Sequence, residues 1–199
     1  MNLPPRIAFL CATLLCLATQ ISFAQKKEPE VMLNVGDDAP AFTLKDDQGN
    51  DWKSSEHYGK KIVVVYFYPA DMTPGCTKQA CGFRDNLEEL QGEGVEVVGI
   101  SGDSVRNHQL FKKAHNLNYT LLADVDGEAA MRFGVPYFVG EHTVKALIDG
   151  KEESLVRDIT THRWTFVVGL DKKIRLKNEQ VQAARDSENI LKVIGQLKN

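Results

Sequence analysis

Residues 62–68 read IVVVYFY. Seven consecutive β-branched or aromatic side chains leave nothing polar for a solvent-facing side. A strand sends successive side chains to opposite faces, so a strand of this composition has to be covered on both. That condition is met in the centre of a parallel sheet with helices packed above and below it.

The rest of the chain alternates in a way that supplies such a sheet. Residues 41–44 (AFTL) are a short strand candidate, and 46–50 (DDQGN) a turn. Pro74 opens a helix that the pattern carries to about Gln91. Residues 95–100 (VEVVGI) form a second buried strand, and 104–114 carry apolar positions at helical spacing. A short strand at 120–122 and a short helix at 127–133 follow. Residues 164–170 (WTFVVGL) form a third long strand, turned by Asp171-Lys172-Lys173 into a partner near 174–176, and 188–197 (ENILKVIGQL) a closing amphipathic helix. Strands alternating with helices predict one α/β domain. Residues 144–157 break the alternation. They are extended on both sides of Asp149-Gly150, a hairpin turn signal, and read as an excursion within an insertion near 138–161.

With 199 residues, 43% of them hydrophobic, the chain holds one sizeable core and falls short of two domains. The formal net charge of -3 gives no pull toward nucleic acid or anionic membranes. The N-terminus differs from the rest. Arg6 is its sole charged side chain up to residue 24, residues 7–18 are almost unbroken apolar, and Ser22-Phe23-Ala24 places small residues where a signal peptidase reads. The run is shorter than the roughly 20 apolar residues of a membrane span. The expectation is therefore a cleaved secretory signal, residues 1–24, then a mobile leader, 25–34, and a folded domain, 35–199. Cleavage removes Cys11 and Cys16, so Cys76 and Cys81 remain of the four cysteines. In an exported protein two cysteines commonly mean a structural disulfide.

Their setting points elsewhere. Cys76 follows Thr73-Pro74-Gly75, where Thr73 suits an N-cap and Pro74 the first helical position. Cys76 then lies in a first turn, whose unpaired N–H groups and dipole favour a thiolate. It also follows the carboxyl end of the buried strand, where ligands of open α/β sheets collect. A disulfide to Cys81 would have to close inside one helix. Two thiols without a histidine pair at ligand spacing make a poor metal site. His57, His108, His115, His142 and His162 are scattered and read as surface or packing residues.

The string Pro69-x-x-x-Thr73-x-x-Cys76 resembles the active-site motif of the peroxiredoxins. The longer stretch FYPADMTPGCTKQAC is similar to their Q-type branch, the bacterioferritin comigratory proteins, where a second cysteine stands five residues after the first. The likeness extends to VGDDAPAF at 35–42, CGFRD at 81–85 and RWTFVV at 163–168. It implies a thioredoxin-like fold, a central mixed β-sheet flanked by helices. It implies a peroxidase without cofactor or metal, acting on hydrogen peroxide and organic hydroperoxides.

In that reading Cys76 is peroxidatic and Cys81 resolving, joined in an intramolecular disulfide that a thioredoxin-like dithiol protein reduces. Thr73 hydrogen-bonds the thiolate or peroxide, Pro69 shapes the pocket, and Arg163 stabilises the thiolate and the leaving oxygen. Arg84, on the same helix, is the second-choice arginine. Tyr66, Phe67 and Tyr68 read as core. Gln79 stands where the branch usually has Glu, and Met72 where Asp is frequent. The competing readings are an exported thiol–disulfide oxidoreductase and a non-enzymatic domain with a structural disulfide. The expected location is the bacterial periplasm or outside the cell, with no stable membrane insertion after cleavage, as a monomer or dimer.

Overall fold

The computed structural model describes residues 25–27 and 32–197. The expected signal, with Arg6, Cys11, Cys16 and Ala24, lies outside the described residues. In chain order the strands are β1 (Gln25–Lys27), β2 (Thr43–Asp46), β3 (Asp51–Lys53), β4 (Ile62–Phe67), β5 (Val95–Ser101), β6 (Thr120–Ala123), β7 (Tyr137–Ile148), β8 (Lys151–Thr161), β9 (Trp164–Val168) and β10 (Ile174–Asn178). The helices are α1 (Pro74–Asp85), α2 (Leu87–Gly92), α3 (Val105–His115), α4 (Glu128–Arg132) and α5 (Asp186–Leu197).

Seven strands form the central sheet in the order β10-β9-β4-β5-β6-β2-β3. β4, β5 and β6 are parallel, and the strands outside them are antiparallel, which makes the sheet mixed. Every residue of β4 is buried. Val64, Tyr66 and Tyr68 pack with Phe83 of α1, Phe111 of α3 and Ile190 and Ile194 of α5. Val63, Val65 and Phe67 pack on the opposite face with Trp52, Phe133 and Phe166. Each face has its own core, which is why this strand has no polar alternation.

The helix expected from Pro74 to about Gln91 is interrupted. Asn86 leaves helical geometry at φ -97° and ψ 7°, and its side-chain amide donates to Ser187 Oγ of α5 at 2.9 Å. Asparagine is a weak helix former that accepts such side-chain alternatives. The first central-sheet strand starts two residues later than expected. The backbone N–H of Phe42 donates to Ser54 Oγ (2.9 Å) and its carbonyl accepts from Ser54 N (3.0 Å), which holds residue 42 out of the ladder.

Residues 25–27, expected within a mobile leader, instead form β1 and pair antiparallel with β7, Gln25 opposite Val139 and Lys27 opposite Tyr137. A polar QKK segment gives no strand signal of its own. The open edge of the 12-residue β7 supplies the template.

β7 and β8 make a long hairpin turning at Asp149 (φ 50°) and Gly150 (φ 78°), the left-handed pair that a two-residue turn of this hand requires. The hairpin lies against β5 and α3. Asn107 donates to the carbonyl of Val156 (3.0 Å), Arg106 pairs with Glu153 (2.5 Å), and Lys113 pairs with Asp149 (2.5 Å). At Gly102 a Cβ would come within 2.2 Å of the Ile159 carbonyl oxygen, so only glycine permits this approach.

Candidate active site

β4 ends beneath the first turn of α1, and the loop between them carries Pro69 to Thr73. Thr73 has the extended backbone of an N-cap (φ -80°, ψ 148°), and Pro74 opens the helix. The Thr73 hydroxyl, however, makes no capping bond. It donates to the carbonyl of Ala70 at 3.1 Å, tightening the loop instead. Met72 sits at φ 63°, a left-handed conformation that costs a side-chain-bearing residue energy and is held by the packing around it.

Cys76, the third residue of α1, is 1% exposed. Arg163 stands between β8 and β9, and its Nη2 donates to Cys76 Sγ at 3.1 Å. A guanidinium against a sulfur at a helix N-terminus stabilises the thiolate and any negative charge formed beside it. The second arm of Arg163, Nη1, donates to Gln79 Oε1. Gln79 Nε2 donates to Asp186 Oδ2 at 2.7 Å, and Thr165 Oγ1 donates to the same oxygen at 2.7 Å. Asp186 is 1% exposed, and its other oxygen, Oδ1, has no partner. Burial pushes its carboxyl up. The bonds from Thr165 and Gln79 and the charge of Arg163 oppose that rise.

Both cysteines are free thiols on the intact helix α1. Cys81 is half-buried and opens on a cleft between α1 and the start of α5, lined with Lys78, Asp85, Asn86, Ser187 and Glu188. Pro69 is half-buried beside the fully buried Ala70. Arg84 lies apart from Cys76 and Arg163. Its Nε donates to Asp85 Oδ1 (2.8 Å) and its Nη1 to the His115 carbonyl (2.6 Å). Tyr66, Phe67 and Tyr68 are core side chains, each at most 1% exposed.

A second polar cluster lies behind the loop that carries Thr73. Asp71, in the loop before Cys76, and His108 of α3 are both wholly buried and pair at 2.9 Å. The Tyr68 hydroxyl donates to Asp71 Oδ1 (2.8 Å), and the Asp71 N–H donates to Asp103 Oδ2 (2.9 Å). Asn107 joins Asp103 (3.0 Å) to the hairpin. Of the two expected readings, surface or packing, His108 takes the buried one, and its pair with Asp71 fixes the loop that carries the site. Asp71 and His108 stand 37 residues apart with no shared local pattern. The one available signal was an unexplained acid in a loop between a buried strand and a helix.

Residues 35–177 match the model of the AhpC/TSA family. A chloroplastic peroxiredoxin Q from Sedum lineare is 40% identical over 164 residues, covering 82% of this chain and 78% of the relative. A chloroplastic peroxiredoxin Q from Populus jackii is 52% identical over 104 residues, about half of either chain at 52% and 48%. Among solved structures, the peroxidoxin BcpB of Mycobacterium tuberculosis superposes with a TM-score of 0.70 at 31% identity, over 84% of this chain and 100% of that one.

Proposed function

The chain belongs to the AhpC/TSA family, in its peroxiredoxin Q group, and is a thiol-dependent peroxidase of thioredoxin-like fold; we propose that Cys76 is the sulfur that attacks the peroxide. The observation that carries this assignment is the 3.1 Å contact of Arg163 Nη2 with a Cys76 sulfur buried in the first turn of α1. Cys81 lies within the field of Arg84, whose N–H groups are committed to Asp85 and the His115 carbonyl.

The Cys76 thiolate attacks the terminal peroxide oxygen. The S–O bond forms as the O–O bond breaks, and the leaving alkoxide or hydroxide takes a proton to become alcohol or water. Cys76 is left as a sulfenic acid. Arg163 stabilises the anion on sulfur before the step and the charge on the leaving oxygen during it. The Thr73 hydroxyl, whose proton is engaged by Ala70, offers its oxygen to the peroxide proton. Pro69 walls the pocket. The Cys81 thiol then displaces hydroxide from the sulfenic sulfur, releasing water and forming the Cys76–Cys81 disulfide. A dithiol protein of the thioredoxin type returns it to two thiols.

The apolar run at residues 7–18, followed by Ser22-Phe23-Ala24, supports export with removal of residues 1–24. The dithiol donor then has to be kept reduced in the same compartment. The reading is tested by peroxide consumption coupled to thioredoxin, its reductase and NADPH. The parent protein turns over, and Cys76→Ser does not. A parent that exchanges with protein disulfides faster than it reacts with peroxide would instead be a thiol–disulfide oxidoreductase.

A further inference from the structure

The network behind Arg163 ends on an acid in a different part of the chain. Asp186 opens α5, 107 residues from Gln79, and its hydrogen bonds go to Gln79 and Thr165 rather than to Cys76. Its place is nonetheless specific. An ionised carboxylate only accepts hydrogen bonds, so the end of the Gln79 amide that faces it must be the NH2. The opposite end, Oε1, is then turned toward Arg163 as an acceptor. Arg163, which only donates, requires the same orientation, so the amide is held from both ends. With Oε1 presented, Arg163 commits Nη1 to Gln79 and is left with Nη2 at Cys76 Sγ. Thr165 Oγ1 holds the same Asp186 oxygen from β9, one strand residue from Trp164, so the acid is fixed from two sides.

Along this line stand a carboxyl, a neutral amide, a guanidinium and the Cys76 sulfur. Gln79 is itself 1% exposed and carries no charge. Asp186 therefore places an acid behind the half-buried Arg163, relayed through one amide.

We propose that Asp186 is a positioning residue for peroxide reduction: by fixing the orientation of the Gln79 amide, it aims Arg163 at the Cys76 sulfur. This rests on Cys76 being the attacking thiol. It assigns a part in the reaction to the first residue of the C-terminal helix.

The test is the second-order rate of Cys76 oxidation in a single turnover with hydrogen peroxide, on the parent and three variants. Asp186→Asn lets residue 186 present either end of its own amide to Gln79 and removes the relayed charge. The rate should drop by about tenfold, less than the ~10²–10³ expected for loss of a direct donor. Gln79→Glu, with Asp186 kept, sets two carboxylates against each other and should also slow oxidation. Gln79→Glu combined with Asp186→Asn moves the carboxylate to the arginine and the amide behind it. That exchange should restore the rate to within about threefold of the parent, since donor, acceptor and charge are all present again.

A purely structural Asp186 predicts no such rescue. An Asp186→Asn rate within twofold of the parent, or a double variant no faster than Gln79→Glu alone, overturns the inference. If Asp186→Asn alone does not fold, the comparison of Gln79→Glu with the double variant decides. A parent whose Cys76 is not oxidised at all contradicts the peroxidase reading itself, and is thereby distinguished from failure of this inference.

Discussion

Oxidising Cys76 and Cys81 to a disulfide should unwind the first half of α1. The two cysteines lie five residues apart on a helix that runs unbroken from Pro74 to Asp85. At 1.5 Å rise and 100° per residue, their Cα atoms are about 8.5–9 Å apart and point about 140° away from each other. A disulfide closes only when the Cα atoms are within about 6.8 Å. Residues 76–81 must leave helical geometry for the bond to form.

The loss can be worked out from the contacts. About five intrahelical backbone bonds go, at ~1 kcal/mol each. The Gln79–Asp186 bond goes with them, as does the bond from the Tyr119 hydroxyl to the Ala80 carbonyl at 3.1 Å. The backbone bonds alone, roughly 5 kcal/mol of local stabilisation, correspond to a factor of about 10³–10⁴ in amide protection. The assay is amide hydrogen exchange on reduced and oxidised protein. Amides 77–82 should lose protection by about that factor while those of β4 keep theirs. Equal protection across α1 in both states, with the Cys76–Cys81 bond confirmed by mass, would refute the reasoning and revive a structural disulfide.

Arg163→Met removes the donor on Cys76 Sγ and should slow oxidation of Cys76 by about 10²–10³. Arg84→Met, whose guanidinium is engaged by Asp85 and the His115 carbonyl, should change it by less than about threefold. Stopped-flow oxidation of the two variants checks both. The Asp71–His108 pair gives a pH dependence of stability. Burial alone would lower the His108 value, but the charge and hydrogen bond of Asp71, with the charge of Asp103, outweigh it and hold the imidazole above its usual 6.5. A folded state that binds the proton more tightly than the unfolded one is stabilised fully below about 6.5. That stabilisation is lost as the pH rises through the higher folded value. The melting temperature should therefore fall from pH 6.5 into the alkaline range. His108→Gln should flatten that slope, and an unchanged slope would remove His108 as its source.

The parts legible in the sequence are those written in consecutive residues. The run 62–68 demanded a two-sided core, and β4 has one. Thr73-Pro74 marked the start of α1, and Asp149-Gly150 marked the hairpin turn. Contacts between distant segments were not legible. Asn86 breaks the helix because Ser187 offers it a partner 101 residues away. Asp186 lies two residues before the helix expected at 188–197, and only folding brings it to Gln79. β3 is three residues with a single buried side chain, Trp52, too short for a strand period to register. Arg163 was singled out only through the likeness to a family, because a lone arginine at the edge of a strand carries no chemistry of its own.

The division of labour between the two cysteines is tested most directly by intact mass after one equivalent of hydrogen peroxide. The parent should lose two hydrogens, about 2 Da, and go no further. Cys81→Ser should gain one oxygen, about 16 Da, as the sulfenic acid, and Cys76→Ser should stay unchanged. A Cys76→Ser protein that takes up oxygen while Cys81→Ser stays inert would contradict the account and reverse the roles of the two thiols.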